Sequence, residues 1–177
     1  MKAKKKTVNG CSEEGRSIRF VVNGKPVELD VGDGPGSVRP SDTLAHTLRE
    51  TLGLIGTKVS CDHGACGCCT VLVDDLSVNS CMTLTIECDG KSVKTIDGLR
   101  DPATGALDPL QQAFIDHTAF QCGFCTPGMI MSAKALLQEN PSPTETEVKE
   151  ALSGNFCRCI SHYQVVKAVM SVSGKGR

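Results

Sequence analysis

The sequence predicts an α+β protein in two units, a small sheet-and-helix unit followed by an all-helical one. Three observations lead there. Short segments with period-two alternation occupy the first half, the apolar period turns helical after residue 109, and a Gly- and Pro-containing stretch, RDPATGALDP (100–109), lies between them. The divisions that follow are a charged extension at 1–16, a unit at 17–99, a linker at 100–109, a helical unit at 110–173 and a tail at 174–177.

Each element has its own signal. SIRFVV (17–22) alternates Ile18, Phe20 and Val22, and PVELDV (26–31) alternates Val27, Leu29 and Val31. Between them stands Asn23-Gly24, a pair that accepts the positive φ values of a tight hairpin turn. GDGPGSVRP (32–40) reads as a loop. SDTLAHTLRETLG (41–53) spaces Leu44, Leu48 and Leu52 by four and closes on Gly53, which predicts a helix with a glycine stop. TVLV (70–73) reads as a strand, with one or two more strands within 76–96. In the second half Asp108, Pro109 and Gln111 form a helix start that leads to Leu110, Ala113, Phe114 and His117. Thr126-Pro127 opens a helix through Met129, Ala133, Leu136 and Leu137. Thr144 with Glu147, and Ser161 with Gln164, are two further capping boxes. They lead to Val148 and Leu152, and to Val165, Val166, Val169 and Met170. Four short helices with short connections predict an up-and-down bundle.

Composition narrows the function. The chain has 177 residues and a formal net charge of −1, so nothing electrostatic points to nucleic acid or to acidic lipid. No apolar run approaches the roughly 18 residues of a membrane span. The start, MKAKKKTVNGCSEEG, is basic but lacks the apolar stretch of a secretory signal. The cytoplasm is therefore the expected compartment; periplasmic export on a partner's signal is the other one compatible with this start. Eleven cysteines, an odd number, cannot all pair, and a reducing compartment argues against a disulfide framework. Metal binding is the better account. It would also stabilise a chain with no Trp, one Tyr and five Phe to build its cores.

The cysteines fall into two sets. If the four helices alternate in direction, the loop containing CGFC (122–125) and the loop containing CRC (157–159) lie at the same end. Cys122, Cys125, Cys157 and Cys159 then meet beside two helix N-termini, whose partial positive charge favours an anionic centre and its more reduced state. Four thiolates at one place are a metal site. In the first unit Cys61, Cys66 and Cys69 stand as C-x4-C-x2-C, with Cys81 twelve positions on, which is the plant-type [2Fe–2S] spacing. Gly64 and Gly67 suit a loop whose backbone approaches a cluster closely. A four-cysteine zinc is the alternative for either set. A Rieske-type centre using His63 would need histidine in place of cysteines that are already spaced for a cluster.

The strings GTKVSCDHGACGCCTVLVDD…SC, QCGFCTPGMIMSAKALL and NFCRC resemble the small iron–sulfur subunit of the molybdenum hydroxylases, the family of xanthine dehydrogenase, aldehyde oxidoreductase and carbon monoxide dehydrogenase. The resemblance runs from about residue 17 to 170. It implies a plant-type ferredoxin-like β-grasp domain followed by a four-helix-bundle domain, each with one [2Fe–2S] cluster. Cys61, Cys66, Cys69 and Cys81 would hold the distal cluster, and Cys122, Cys125, Cys157 and Cys159 the proximal one. Gln121 matches a glutamine beside the pterin and is the candidate contact to a molybdopterin cofactor. The implied partners are a large subunit carrying molybdopterin and commonly a medium subunit carrying FAD. No substrate bond would break on this chain. It would relay single electrons between the partner's molybdenum centre and flavin or an external acceptor. A freestanding ferredoxin would need only the first unit, and a zinc-bound interaction module would be colourless.

The chain departs from the family in places. Cys68 stands where the family usually has Ala and is read as a small loop residue, with an alternative ligand as the other reading. Ile160, Ser161 and His162 replace the usual Thr-Gly-Tyr, which puts in doubt the contact that Tyr makes with a neighbouring subunit. Cys11 and Cys88 match no ligand position and are read as free thiols. His46 and His117 are read as ordinary helix residues on or near packed faces. His162 is a hydrogen-bond donor near the proximal site or a solvent contact, and Arg158 pairs with a cluster charge or faces a partner.

Overall fold

The computed structural model describes residues 16–174. Cys11, most of the expected N-terminal extension and the last three residues of the tail lie outside the described residues. Strands β1 (Ser17–Val22) and β2 (Lys25–Asp30) form an antiparallel hairpin in the register Val22↔Lys25. This leaves Asn23-Gly24 as a two-residue turn with φ of 51° and 78°. The alternation places Ile18, Phe20 and Val22 in the core.

Asn23 does more than turn the chain. Its Oδ1 accepts from the Thr95 N–H at 2.8 Å, and its Nδ2 donates to Thr95 Oγ1 at 2.9 Å, fastening the hairpin to a segment 72 residues away. Two hydrogen bonds at about 1 kcal/mol each and a left-handed backbone at about 1 kcal/mol give the expected cost of Asn23→Ala as about 3 kcal/mol. Asn23→Gly keeps the turn and loses only the bonds, so its thermal midpoint should fall between those of wild type and Asn23→Ala.

Helix α1 (Leu44–His46) continues as a π-helical segment, Thr47–Thr51. The expected regular helix over 41–53 is thus shorter and wider. Thr43 caps it, the Leu52 N–H reaches back to the Thr47 carbonyl at 2.9 Å, and Gly53 ends it at φ +68°. The wide turn accommodates Leu44 and Leu48 in the core together with Thr47, whose Oγ1 lies 2.7 Å from that of buried Thr85. His46 is exposed rather than on the packed face, because that face is taken by Leu44, Ala45, Thr47 and Leu48.

Strands β3 (Thr70–Val73), β4 (Leu76–Asn79) and β5 (Ser92–Lys94) complete a five-stranded mixed sheet in the order β2-β1-β5-β3-β4. Only the β1–β5 pair is parallel. The β3–β4 turn is Asp74-Asp75, with φ of 49° and 66°. Between β4 and β5 lie two 3-10 turns, Ser80–Met82, which carries Cys81, and Thr85–Cys88. All four residues of β3 are buried: Val71 and Val73 point into the core with β1 and α1, and a helix of the second half covers the other face. The α+β class is as expected.

Four helices follow: α2 (Pro109–Asp116), α3 (Thr126–Glu139), α4 (Glu145–Ala151) and α5 (His162–Val172). Each packs on the next, and α5 returns to α2. Asp108 with Gln111 and Thr144 with Glu147 close capping boxes. Ser161 differs from expectation. Its hydroxyl accepts from the Tyr163 N–H, one position earlier than a box requires. Leu110, Phe114, Met129, Val148, Leu152, Val165 and Val169 are almost fully buried in one cluster.

α3 also covers β3 and β4, so the helices and the sheet share an interface. At that interface Cys68 is 5% exposed and belongs to the helical core. The expected small loop residue is an inter-unit packing residue.

Candidate metal centres

Two loops bring the sulfurs together. In the first, Asp62, Gly64 and Gly67 have φ of 57°, 75° and 68°, which turns the chain tightly around Cys61. The Ala65 N–H points at Cys61 Sγ from 3.3 Å. Hydrogen bonds from the His63 N–H, the Cys66 side chain and the Ala65 and Cys66 N–H groups hold the Cys61 thiol down at about 6. Cys69 and Cys81 are buried beside Ala45 and Val59. Burial, and then the hydrogen bond to Cys69, pushes the Cys81 thiol up to about 12 against an opposing Gly64 N–H.

The second loop pair lies at the N-termini of α3 and α5. Gly123, at φ 81°, turns the chain between Cys122 and Cys125, and Cys125 occupies the N-cap position of α3. Cys125 is buried, and burial followed by its hydrogen bond to Cys157 pushes its thiol up to about 12. Burial acts the same way on Cys157. The Ile160 N–H at 3.3 Å, the Cys125 side chain and the Cys159 N–H at 3.4 Å outweigh it, so that thiol lies below its ordinary range. Cys122 and Cys159 are exposed, their sulfurs 3.6 Å apart, and this contact raises the Cys159 thiol.

In both places the sulfurs lie beside one another. Cys159 Sγ donates to Cys122 Sγ at 3.6 Å; the side chains of Cys66, Cys69 and Cys157 act on the Cys61, Cys81 and Cys125 thiols, and Cys157 is acted on by Cys159 as well as by Cys125. Among the described residues no three His, Cys, Asp or Glu side chains are arranged around a single metal ion. A tetrahedral zinc needs four donors about 2.3 Å from one point. A [2Fe–2S] cluster takes two protein ligands on each of its two irons. Four thiols in each place, with backbone N–H groups aimed at the Cys61 and Cys157 sulfurs, suit the ligand set of a binuclear cluster.

The two sets are locked together. The Phe156 N–H donates to the Cys66 carbonyl at 3.0 Å, and Asn155 Nδ2 donates to the Gly67 carbonyl at 2.9 Å. Cys66 and Cys68 of the first loop and Cys122, Cys125, Cys157 and Cys159 of the second line one cavity of about 440 Å³. Gly67 and Gly128 are where the loop and α3 touch. A Cβ on Gly128 would collide with the Gly67 carbonyl, and one on Gly67 would come within 2.5 Å of both the Asn155 amide and the Gly154 carbonyl. Residue type and spacing mark neither Asn155 nor Gly128 as a functional position. Nothing local marks a contact across 88 residues, although the glycine three places after Cys125 hints at a close approach.

The remaining candidates are dispersed. Gln121 is exposed beside Cys122, and Arg158 is exposed on the rim of the shared cavity. His63 Nδ1 lies 2.5 Å from the Cys61 carbonyl oxygen. His117 is half-buried as the C-cap of α2, and His162 is exposed. Cys88 is fully buried in the sheet core, far from either set in packing. Phe124 and Phe156, 45% and 64% exposed, flank the cavity.

Comparison with known proteins gives the same picture twice over. Residues 20–94 match the family described as "2Fe-2S iron-sulfur cluster binding domain", and residues 95–170 match the "[2Fe-2S] binding domain" family. The nicotine 6-hydroxylase small subunit of Paenarthrobacter nicotinovorans is 51% identical over 139 residues, covering 78% of this chain and 82% of that one. A probable xanthine dehydrogenase subunit of Bacillus subtilis is 40% identical over 155 residues, covering 88% and 84%. The crystal structure of quinoline 2-oxidoreductase from Pseudomonas putida 86 superposes with a TM-score of 0.80 at 40% identity, covering 89% of this chain and 92% of the matched one.

Proposed function

The chain belongs to the molybdenum hydroxylase family as an iron–sulfur small subunit, and from that premise we propose that Cys61, Cys66, Cys69 and Cys81 hold one [2Fe–2S] cluster and Cys122, Cys125, Cys157 and Cys159 a second. It is the electron-transfer subunit of an oxidoreductase complex. When bound, such clusters supply one-electron redox chemistry at potentials that hydrogen bonds and exposure around the sulfurs adjust. The chain's own residues hold, orient and shield. The Ala65, Cys159 and Ile160 N–H groups point at ligand sulfurs, where they favour the more negative state. Burial of Cys69, Cys81 and Cys125 keeps water from one side of each set.

We assign residues 17–99 to a β-grasp ferredoxin-like domain, 100–109 to a linker and 110–173 to a four-helix-bundle domain. The mixed sheet and the closed ring of helices support this division. The exposed Cys122–Cys159 pair, with Phe124 and Phe156 beside it, suits the face toward a molybdopterin-bearing large subunit, because interface cores are rich in aromatics. Gln121 on that face is the proposed contact to the pterin. An FAD subunit or an external acceptor would exchange electrons on the side of the first set. No helix among the described residues is long and apolar enough to cross a membrane. A cytoplasmic location is proposed because a reducing compartment keeps ligand thiols free of disulfides.

The observation that carries this reading is the convergence of the two cysteine-bearing loops on one cavity, where the Cys122 and Cys159 sulfurs lie 3.6 Å apart. Purifying the chain with its native partners tests it. The expected result is a red-brown complex with about four irons and four acid-labile sulfides per copy of this chain. Bound zinc, or iron for a single cluster, would overturn the assignment.

A further inference from the structure

Cys68 is surplus to both ligand sets, yet it lies between them. Its neighbour Cys69 packs with Cys81, Ala45 and Val59 on the sheet side. Cys68 points the other way, into the helical cluster that contains Cys125 and against which Cys66 and Cys157 also pack. It lines the same cavity as Cys66 and Cys125 and is 5% exposed. Cys66 packs against the same cluster, which sets the two side chains on one wall of the cavity. The backbone on either side leaves it little freedom. The Gly67 carbonyl accepts from Asn155 Nδ2 and from Thr70 Oγ1, and the Cys68 Cα would be 3.0 Å from a Cβ placed on Gly128.

We propose that Cys68 is a positioning and tuning residue, whose thiol donates a hydrogen bond to the Cys66 sulfur across the junction of the two loops and so raises the reduction potential of the cluster held by the first set. This rests on the assignment of two [2Fe–2S] clusters made above. A thiol S–H is a weak donor and a coordinated thiolate accepts it. Reduction adds negative charge to the cluster and its sulfurs, so a donor at Cys66 stabilises the reduced state more than the oxidised one. The junction holds the donor in place beside Cys66 at the cavity shared with the second set, so its influence would fall on the cluster that Cys66 helps to hold.

The test uses the intact complex in three forms: wild type, Cys68→Ala and Cys68→Ser. Iron and acid-labile sulfide are measured first, and an EPR-monitored redox titration then gives a midpoint for each cluster. Expected in Cys68→Ala are full iron content, a lowered midpoint for one cluster and an unmoved midpoint for the other. Cys68→Ser keeps a hydroxyl donor and should recover part or all of the shift. Unchanged midpoints in Cys68→Ala, equal movement of both, or loss of iron, which would make Cys68 a ligand, each overturn the proposal. A wild-type complex lacking two distinct [2Fe–2S] signals would overturn the cluster assignment itself, an outcome separable from the other three.

Discussion

Cys125→Ser is expected to leave the complex with about half of its iron and sulfide, to abolish one of two [2Fe–2S] EPR signals, and to cut substrate-driven reduction of an external acceptor by about 100-fold or more, since even residues that only support metal ligands cost 10–100-fold. Cys125 is chosen because position and chemistry coincide there. It is the N-cap residue of α3, it is buried in the helical cluster, and it lines one cavity with Cys157. A serine hydroxyl at this place is a poor ligand for iron and adds a polar group to an apolar cluster. Cys88→Ala is the matched control. That thiol is fully buried among Ile18, Phe20 and Val93 of the sheet core, so its loss should lower stability by about 1–2 kcal/mol with both signals intact. If Cys125→Ser retained all of its iron, the assignment of the second set would be wrong.

Gly128→Ala should lower the thermal midpoint of the complex's small subunit by about 4–8 °C, a net cost of about 2 kcal/mol on the scale of about 2–4 °C per kcal/mol for a chain of this size. Two effects oppose each other at this position. Replacing a helical glycine by alanine favours the helix by about 0.8–1.0 kcal/mol. The new methyl would overlap the Gly67 carbonyl and stand 3.0 Å from the Cys68 Cα, both of them backbone atoms that cannot rotate away. Overpacking of that kind typically costs about 1–3 kcal/mol and sometimes more. The collision wins here because Gly67 is held from the other side by Asn155 and Gly154. The two cysteine sets would be forced apart, so a changed magnetic interaction between the EPR signals should accompany the lower midpoint. Gly154→Ala, where a Cβ meets nothing within 4 Å, should melt within about 0.5 kcal/mol of wild type. Equal melting of Gly128→Ala and wild type would show that the close approach constrains nothing.

Where the chain's local chemistry was unambiguous, reading it was enough. Asn23-Gly24 dictates its turn, Asp108 and Thr144 dictate two helix starts, and the alternation of Ile18, Phe20 and Val22 dictates a buried strand face. Local signals misled at three points. The four-residue spacing of Leu44, Leu48 and Leu52 fits a regular helix, but the contact of Thr47 with Thr85, 38 residues on, accompanies a wider turn. His46 sits in that helix yet faces outward, because Leu44, Ala45, Thr47 and Leu48 take the inner face. Ser161 caps one position earlier than its spacing with Gln164 suggests.

Residue types and their spacing dictate the donor chemistry: which sulfurs are grouped along the chain, how far apart they stand, and which turns and caps lead into each group. Those are properties of residue type and short-range backbone geometry, and they survive without knowledge of packing. Tertiary structure alone decided how the groups face each other, namely that the first loop seats on α3 through Gly67 and Gly128, that Asn155 ties the α4–α5 loop to it, and that Cys68 is enclosed between the sets. These contacts span up to 88 residues and depend on close backbone approach and mutual burial, which no local pattern encodes.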